Sequence, residues 1–102
     1  MQMKPGSRWK SAVCDTEVVV VRAAASEVTV ECGGHAMVAF ADAKPEGLTL
    51  SADHAAGTGA GKRFADADTG LELLCSKAGK GSLSIDGRAI EVKQAKKLPS
   101  SD

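Results

Sequence analysis

Three observations predict an all-β protein. Glu17-Val18-Val19-Val20-Val21-Arg22 is a β-branched run between charged residues; such a run reads as a strand, and its lack of alternation predicts burial on both faces. Val28, Val30 and Cys32 alternate with Thr29 and Glu31, so the first three share one face of a second strand. Glycine is abundant in the connections, and no segment sustains the 3.6-residue period of a helix.

Further along, Lys44-Pro45-Glu46-Gly47 reads as a turn in which Pro presets φ and Gly supplies a permissive conformation, and Leu48-Thr49-Leu50 is expected to follow as a connecting strand. Gly57-Thr58-Gly59-Ala60-Gly61-Lys62-Arg63 invites comparison with a phosphate-binding loop. It fails, because Ala56 stands where the pattern needs Gly and Arg63 where it needs Ser or Thr. A flexible linker is the better reading. Three more strands are expected at Leu71 to Cys75, Leu83 to Ile85 and Ala89 to Val92.

The linker separates two similar units. A shift of 55 carries Arg8 onto Arg63, Trp9 onto Phe64, Ala12 onto Ala67, Glu17 onto Glu72, and Val18-Val19 onto Leu73-Leu74. A shift of 53 carries Val30 onto Leu83, Gly34 onto Gly87, His35 onto Arg88, Ala36 onto Ala89 and Met37 onto Ile90. The agreement runs in order through an aromatic, a strand and a Gly-x-Ala-apolar turn, as a tandem repeat requires.

Composition limits the function classes. A chain of 102 residues makes one domain or two very small ones, with a thin, mainly aliphatic core: it has one Trp, two Phe and no Tyr. Thirteen basic and thirteen acidic residues cancel, so there is no electrostatic footprint for nucleic acid. Lys93, Lys96 and Lys97 read as part of a solvated tail. No stretch reaches the roughly 20 apolar residues of a membrane helix, and the first residues carry no apolar signal region. Three cysteines without a secretion signal suit a reducing, cytoplasmic setting, where thiols are ligands, redox groups or packing groups.

Trp9-Lys10-Ser11-Ala12-Val13-Cys14-Asp15, the valine run, and Val30-Glu31-Cys32-Gly33-Gly34-His35-Ala36-Met37 together resemble the desulforedoxin module, which is also the N-terminal domain of desulfoferrodoxins. That family reads aromatic-x-Cys-x-x-Cys-Gly, a β-hairpin, then Cys-Cys-Gly-x-x-Met, with four sulfurs around one iron or zinc. Here Cys14 and Cys32 fall on the second and third ligand positions, while Ser11 and Gly33 stand at the first and fourth. In the second unit the four positions are Asp66, Thr69, Ile85 and Asp86, with no thiolate left. The resemblance implies two small desulforedoxin-like β-hairpin modules, residues 8–40 and 62–95, packed as an internal pseudo-dimer, with residues 41–61 connecting them and 96–102 as a polar tail.

The resemblance, not the spacing, also implies that the Cys14 and Cys32 sulfurs lie roughly 4 Å apart, as two thiolates on one tetrahedral ion must. Three fates remain open for such a pair. Both cysteines can be small buried packing groups; they can be a redox pair that joins on oxidation; or they can be a residual zinc or copper site completed by His35 or Asp15, with Met37 nearby. His35 taken alone reads as a turn residue, and His54 has no assigned role. Cys75, aligned with Val20, reads as an inert core group. Asp66, Asp68 and Asp86 read as turn aspartates rather than a hard-cation site.

The leading expectation is a non-enzymatic accessory or binding protein whose scaffold has lost its tetrathiolate iron site. No cofactor and a protein partner are expected, with the chain a monomer or homodimer. The alternative is a small metal-binding or thiol-redox protein using Cys14, Cys32 and His35. An independent enzyme is the weakest expectation, because the sequence holds no nucleophile elbow and few clustered polar groups.

Overall fold

The structure, a computed structural model, describes residues 3–92; the expected polar tail and the end of the second unit lie outside the described residues. Ten strands follow one another: β1 (Arg8–Lys10), β2 (Glu17–Arg22), β3 (Val30–Cys32), β4 (His35–Ala36), β5 (Val38–Ala39), β6 (Arg63–Ala65), β7 (Glu72–Lys77), β8 (Leu83–Ile85), β9 (Arg88–Ala89) and β10 (Glu91–Val92). The only helical turn among the described residues is a 3₁₀ turn at Ala52–His54. The protein is all-β, with two antiparallel sheets.

Turn chemistry sets the hairpins. Cys32 pairs with His35 across Gly33-Gly34, whose φ angles are +67° and +86°, and Ile85 pairs with Arg88 across Asp86-Gly87, at +48° and +83°. Two consecutive residues at positive φ make the two-residue turn whose twist matches that of the flanking strands, and Gly and Asp are the residues that tolerate it.

The six-stranded sheet runs β10-β6-β7-β2-β1-β5 and the four-stranded sheet β4-β3-β8-β9. Each order reads the same from either edge when β1 to β5 are matched with β6 to β10. Both sheets are continuous across the middle of the chain: β2 pairs with β7 (Val18↔Cys75, Val20↔Leu73), and β3 pairs with β8 (Val30↔Ile85, Cys32↔Leu83). Inward residues of both sheets build one core. Val18, Val20, Val30, Cys32, Leu73, Cys75, Leu83 and Ile85 are all within 3% of complete burial, and Met3, Val28, Met37, Phe64 and Leu71 join them. A chain this short gains apolar burial by sharing one core between its halves.

Three expectations need correction. β2 is buried on one face: Val18 and Val20 are inside while Val21 is 38% exposed, because an antiparallel sheet with a single core covers only one side. Leu48–Leu50 forms no strand; the Thr49 carbonyl instead accepts His35 Nε2 (2.9 Å), and the following residue, Ser51, donates its N–H to the Gly33 carbonyl (2.9 Å). The Gly-rich connection is anchored rather than free. Thr58 is buried, exchanges two backbone hydrogen bonds with Gly79 (3.0 and 3.2 Å), and donates its hydroxyl to the Gly81 carbonyl (2.6 Å).

Candidate functional site

The β1–β2 turn is closed by its own backbone and by Ser11. Ser11 N–H donates to the Thr16 carbonyl (2.8 Å), and Ser11 Oγ accepts the amides of Val13 and Cys14, both at 3.1 Å. Ser11 and Thr16 are completely buried. This compact turn lays Cys14 against the end of β3, where Cys32 points into the core. Their sulfurs are 3.8 Å apart. That is van der Waals contact for two reduced thiols, and also about the edge of a tetrahedron with 2.3 Å metal–sulfur bonds.

Hydroxyl and amide donors surround the pair. The Cys14 thiol lies 3.3 Å from Thr16 Oγ1. Burial pushes the Cys14 thiol up, but hydrogen bonds from the Ser11 and Thr16 side chains and from the Thr16 and Gly81 backbone outweigh it and bring the thiol down to about 7. Cys32 goes the other way. Its burial, followed by the charge of neighbouring Cys14, pushes it up to about 11 against the pull of the Thr16 and Ser11 hydroxyls. At neutral pH one sulfur is about half thiolate and the other a thiol.

The second half of the chain supplies one wall. Gly33 N–H donates to the Ser82 carbonyl (3.1 Å), and a Cβ on Gly81 would stand 3.0 Å from Cys32 Sγ. A Cβ on Gly79 would collide with Thr16 Oγ1. The β7–β8 turn approaches this closely because two of its residues lack side chains. From the other side the connecting segment covers the turn: Lys44 Nζ donates to the Cys14 carbonyl (2.7 Å), and Leu50 Cδ1 and Val13 Cγ2 lie 2.5 and 2.6 Å from where a Gly33 Cβ would stand.

These residues do not fit a tetrathiolate metal. Ser11, which the resemblance puts at the first ligand position, already accepts two amides, and the space beside Gly33, which it puts at the fourth, is filled by Leu50 and Val13. The imidazole of His35 bonds the Thr49 carbonyl, Asp15 is exposed, and Met37 is packed in the core. Among the described residues no three His, Cys, Asp or Glu side chains converge on one point. The structure therefore brings Cys14 and Cys32 together and leaves His35 outside their group.

The corresponding positions of the second half are occupied differently. Asp66 accepts both Thr69 N–H (3.2 Å) and Thr69 Oγ–H (2.6 Å), and Arg88 reaches Asp66 and Asp68, each at 3.2 Å. Hydrogen bonds from Thr69 and Arg88 hold the Asp66 carboxyl below the usual carboxylate range. Ile85 is in the core, and the Asp86 carboxylate accepts Thr29 N–H (3.0 Å). The three aspartates do not converge; a guanidinium occupies the place where a cation would sit. Cys75 is 1% exposed, donates to the Lys77 carbonyl (3.1 Å), and has its thiol raised by burial.

Thr16, Gly79, Gly81, Thr58 and Leu50 shape the site without having been singled out in the sequence. The Gly-x-Gly at 79–81 was the one available signal, since paired glycines mark a close backbone approach as well as a flexible turn. Comparison with known protein families, with curated proteins and with solved structures finds no match. No helix among the described residues is long and apolar enough to cross a membrane.

Proposed function

We propose that this chain is a small thiol-redox protein, with Cys14 as the attacking thiolate and Cys32 as the resolving thiol, on a duplicated desulforedoxin-like scaffold that has exchanged its metal for a dithiol. One observation carries the reading: two free sulfurs in contact at 3.8 Å with their acidities pulled to opposite sides of an ordinary thiol. A pair of packing cysteines has no need of hydroxyls and amides aimed at one member.

The duplication is supported by the strand orders, which read alike from both edges, and by strand bounds. The 55-residue shift carries β1 and β2 onto β6 and β7, and the 53-residue shift carries β3, β4 and β5 onto β8, β9 and β10. In this reading the molecule is its own pseudo-dimer, and a reducing, cytoplasmic setting keeps the pair as thiols between turnovers.

The chemistry balances without a metal. An oxidant takes two electrons from the pair, a Cys14–Cys32 bond forms, and the Cys32 proton leaves with the reduced product. The sulfurs must close from 3.8 Å to about 2.05 Å, which requires the Cβ vectors of Cys14 and Cys32 to suit a disulfide.

The second reading, an accessory or binding scaffold in which the cysteines only pack, is favoured by the complete burial of Cys32. One experiment separates the two. Thiols are counted in the native protein before and after mild oxidation, and metal content is measured after purification without chelator, for wild type, Cys14→Ser and Cys32→Ser. Loss of two thiols in wild type alone supports the redox reading. Retention of all three thiols leaves the scaffold reading, and stoichiometric zinc, copper or iron lost in either variant overturns both.

A further inference from the structure

Access to the pair is unequal. Cys32 is fully buried, with the Gly81 backbone against its sulfur, whereas Cys14 is partly exposed. Val13 and Leu50 fill the flank beside Gly33, and Lys44 ties the connecting segment to the Cys14 backbone. An oxidant meets the site at one sulfur, inside a rim made by the β1–β2 turn, the connecting segment and the β7–β8 turn.

Exchange with a disulfide requires the incoming sulfur–sulfur axis to line up with the attacking thiolate, so a bulky group must enter on each side of the bond. A hydroperoxide needs to present only one oxygen. The hydrogen-bond donors for such an oxygen are already beside Cys14: the Thr16 hydroxyl at 3.3 Å from Sγ, and the backbone N–H of Gly81, whose carbonyl accepts the Thr58 hydroxyl. Cys32 waits in contact, so a second step needs no opening of the fold.

We infer, resting on the redox reading above, that the oxidant of this dithiol is a small hydroperoxide, admitted to Cys14 by the rim and passed on to Cys32. In the first step the Cys14 thiolate attacks the distal oxygen and the O–O bond breaks. The sulfur becomes a sulfenic acid, and the leaving alkoxide or hydroxide takes a proton from solvent at the partly exposed Cys14 side of the pair. In the second step the Cys32 sulfur displaces the sulfenic oxygen. An S–S bond forms, the S–O bond breaks, and water leaves carrying the Cys32 proton. Two electrons pass from the pair to one peroxide.

The test compares hydrogen peroxide with glutathione disulfide at equal concentration on the full-length reduced protein, following loss of the Cys14 and Cys32 thiols by mass spectrometry. Hydrogen peroxide is expected to form the internal disulfide at least about tenfold faster, since the rim limits the bulkier oxidant. The Cys32→Ser variant treated with hydrogen peroxide and a sulfenic-acid-trapping dione is expected to carry the adduct on Cys14. Faster reaction with glutathione disulfide, or a mixed disulfide at Cys14 without a trapped sulfenic acid, overturns the hydroperoxide inference and leaves the redox reading standing. If neither oxidant joins the pair, both fall.

Discussion

Replacing Thr16 by Val removes one hydroxyl from beside Cys14 Sγ while nearly conserving shape, and the backbone bond from Ser11 N–H to the Thr16 carbonyl is unaffected. A hydrogen bond to a charged group contributes about 1.5–3 kcal/mol, and one pKa unit corresponds to about 1.4 kcal/mol. At the lower end, suited to a partly exposed sulfur, the substitution moves Cys14 from about 7 to roughly 8. The thiolate fraction at neutral pH then falls from about half to about a tenth. Reactivity falls less, because a more basic thiolate is a better nucleophile by roughly threefold per unit. The readout is therefore the midpoint of the alkylation rate against pH, with Cys75→Ser as background so that only the pair reports. Thr16→Ser, which keeps a hydroxyl, is expected to restore the wild-type midpoint. A Val variant that folds and titrates like wild type would refute the claim that Thr16 stabilises the Cys14 thiolate.

Oxidation should stabilise the protein, since bridging residues separated by 18 positions constrains the unfolded chain by about 3 kcal/mol before strain. The thermal midpoint should then rise on the order of 10 °C or more, measured by calorimetry with and without reductant. Gly87→Ala should cost about 1–2 kcal/mol in denaturant titration, because it imposes only a left-handed alanine in open space. Gly34→Ala should cost more, since its Cβ would also stand 2.8 Å from Ser51 Cβ; equal losses would show that the connecting segment gives way freely. Asp66 has its folded carboxyl depressed, so its contribution is present at neutral pH and lost as pH falls through the folded value. Asp66→Asn should flatten the acid limb of the stability profile while lowering stability at pH 7.

Legibility in the sequence followed the range of the interaction. β2, β3 and β8 were readable from composition and alternation, because a strand's own residues report its buried face. The single-sided burial of β2 was not, since it depends on there being no third layer above Val19 and Val21 among the described residues. Both two-residue hairpins are legible as Gly33-Gly34 and Asp86-Gly87, since Gly34 and Gly87 open matching Gly-x-Ala-apolar turns. The contact between Cys14 and Cys32 came through the family resemblance and would not have come from an 18-residue separation. His35 reads as a turn residue in the sequence and as a ligand only in the metal alternative, and its place rests on a contact far along the chain. Its backbone does pair with Cys32, but its side chain is claimed by a carbonyl 14 residues further on, in a segment expected to be a strand.

If the two halves are copies, the second has no cysteine at the positions matching Cys14 and Cys32 yet is not idle. Its β7 and β8 complete both sheets, and the turn between them supplies the Gly81 amide and the bare backbone that lets Thr16 and Cys32 sit where they do. The division of labour has a physical basis. A tetrathiolate site can hold its own hairpin in place through metal–ligand bonds, whereas a dithiol exerts no such restraint and must be positioned by packing and hydrogen bonds. The remaining half-site is accordingly fixed from outside, by Ser82 and Gly81 from the second half and by Leu50 and Thr58 from the connection. In the second half the Asp66–Arg88 pair and the Asp86–Thr29 bond tie the turns down. On the redox reading, the pair is held in place by the other half of the chain.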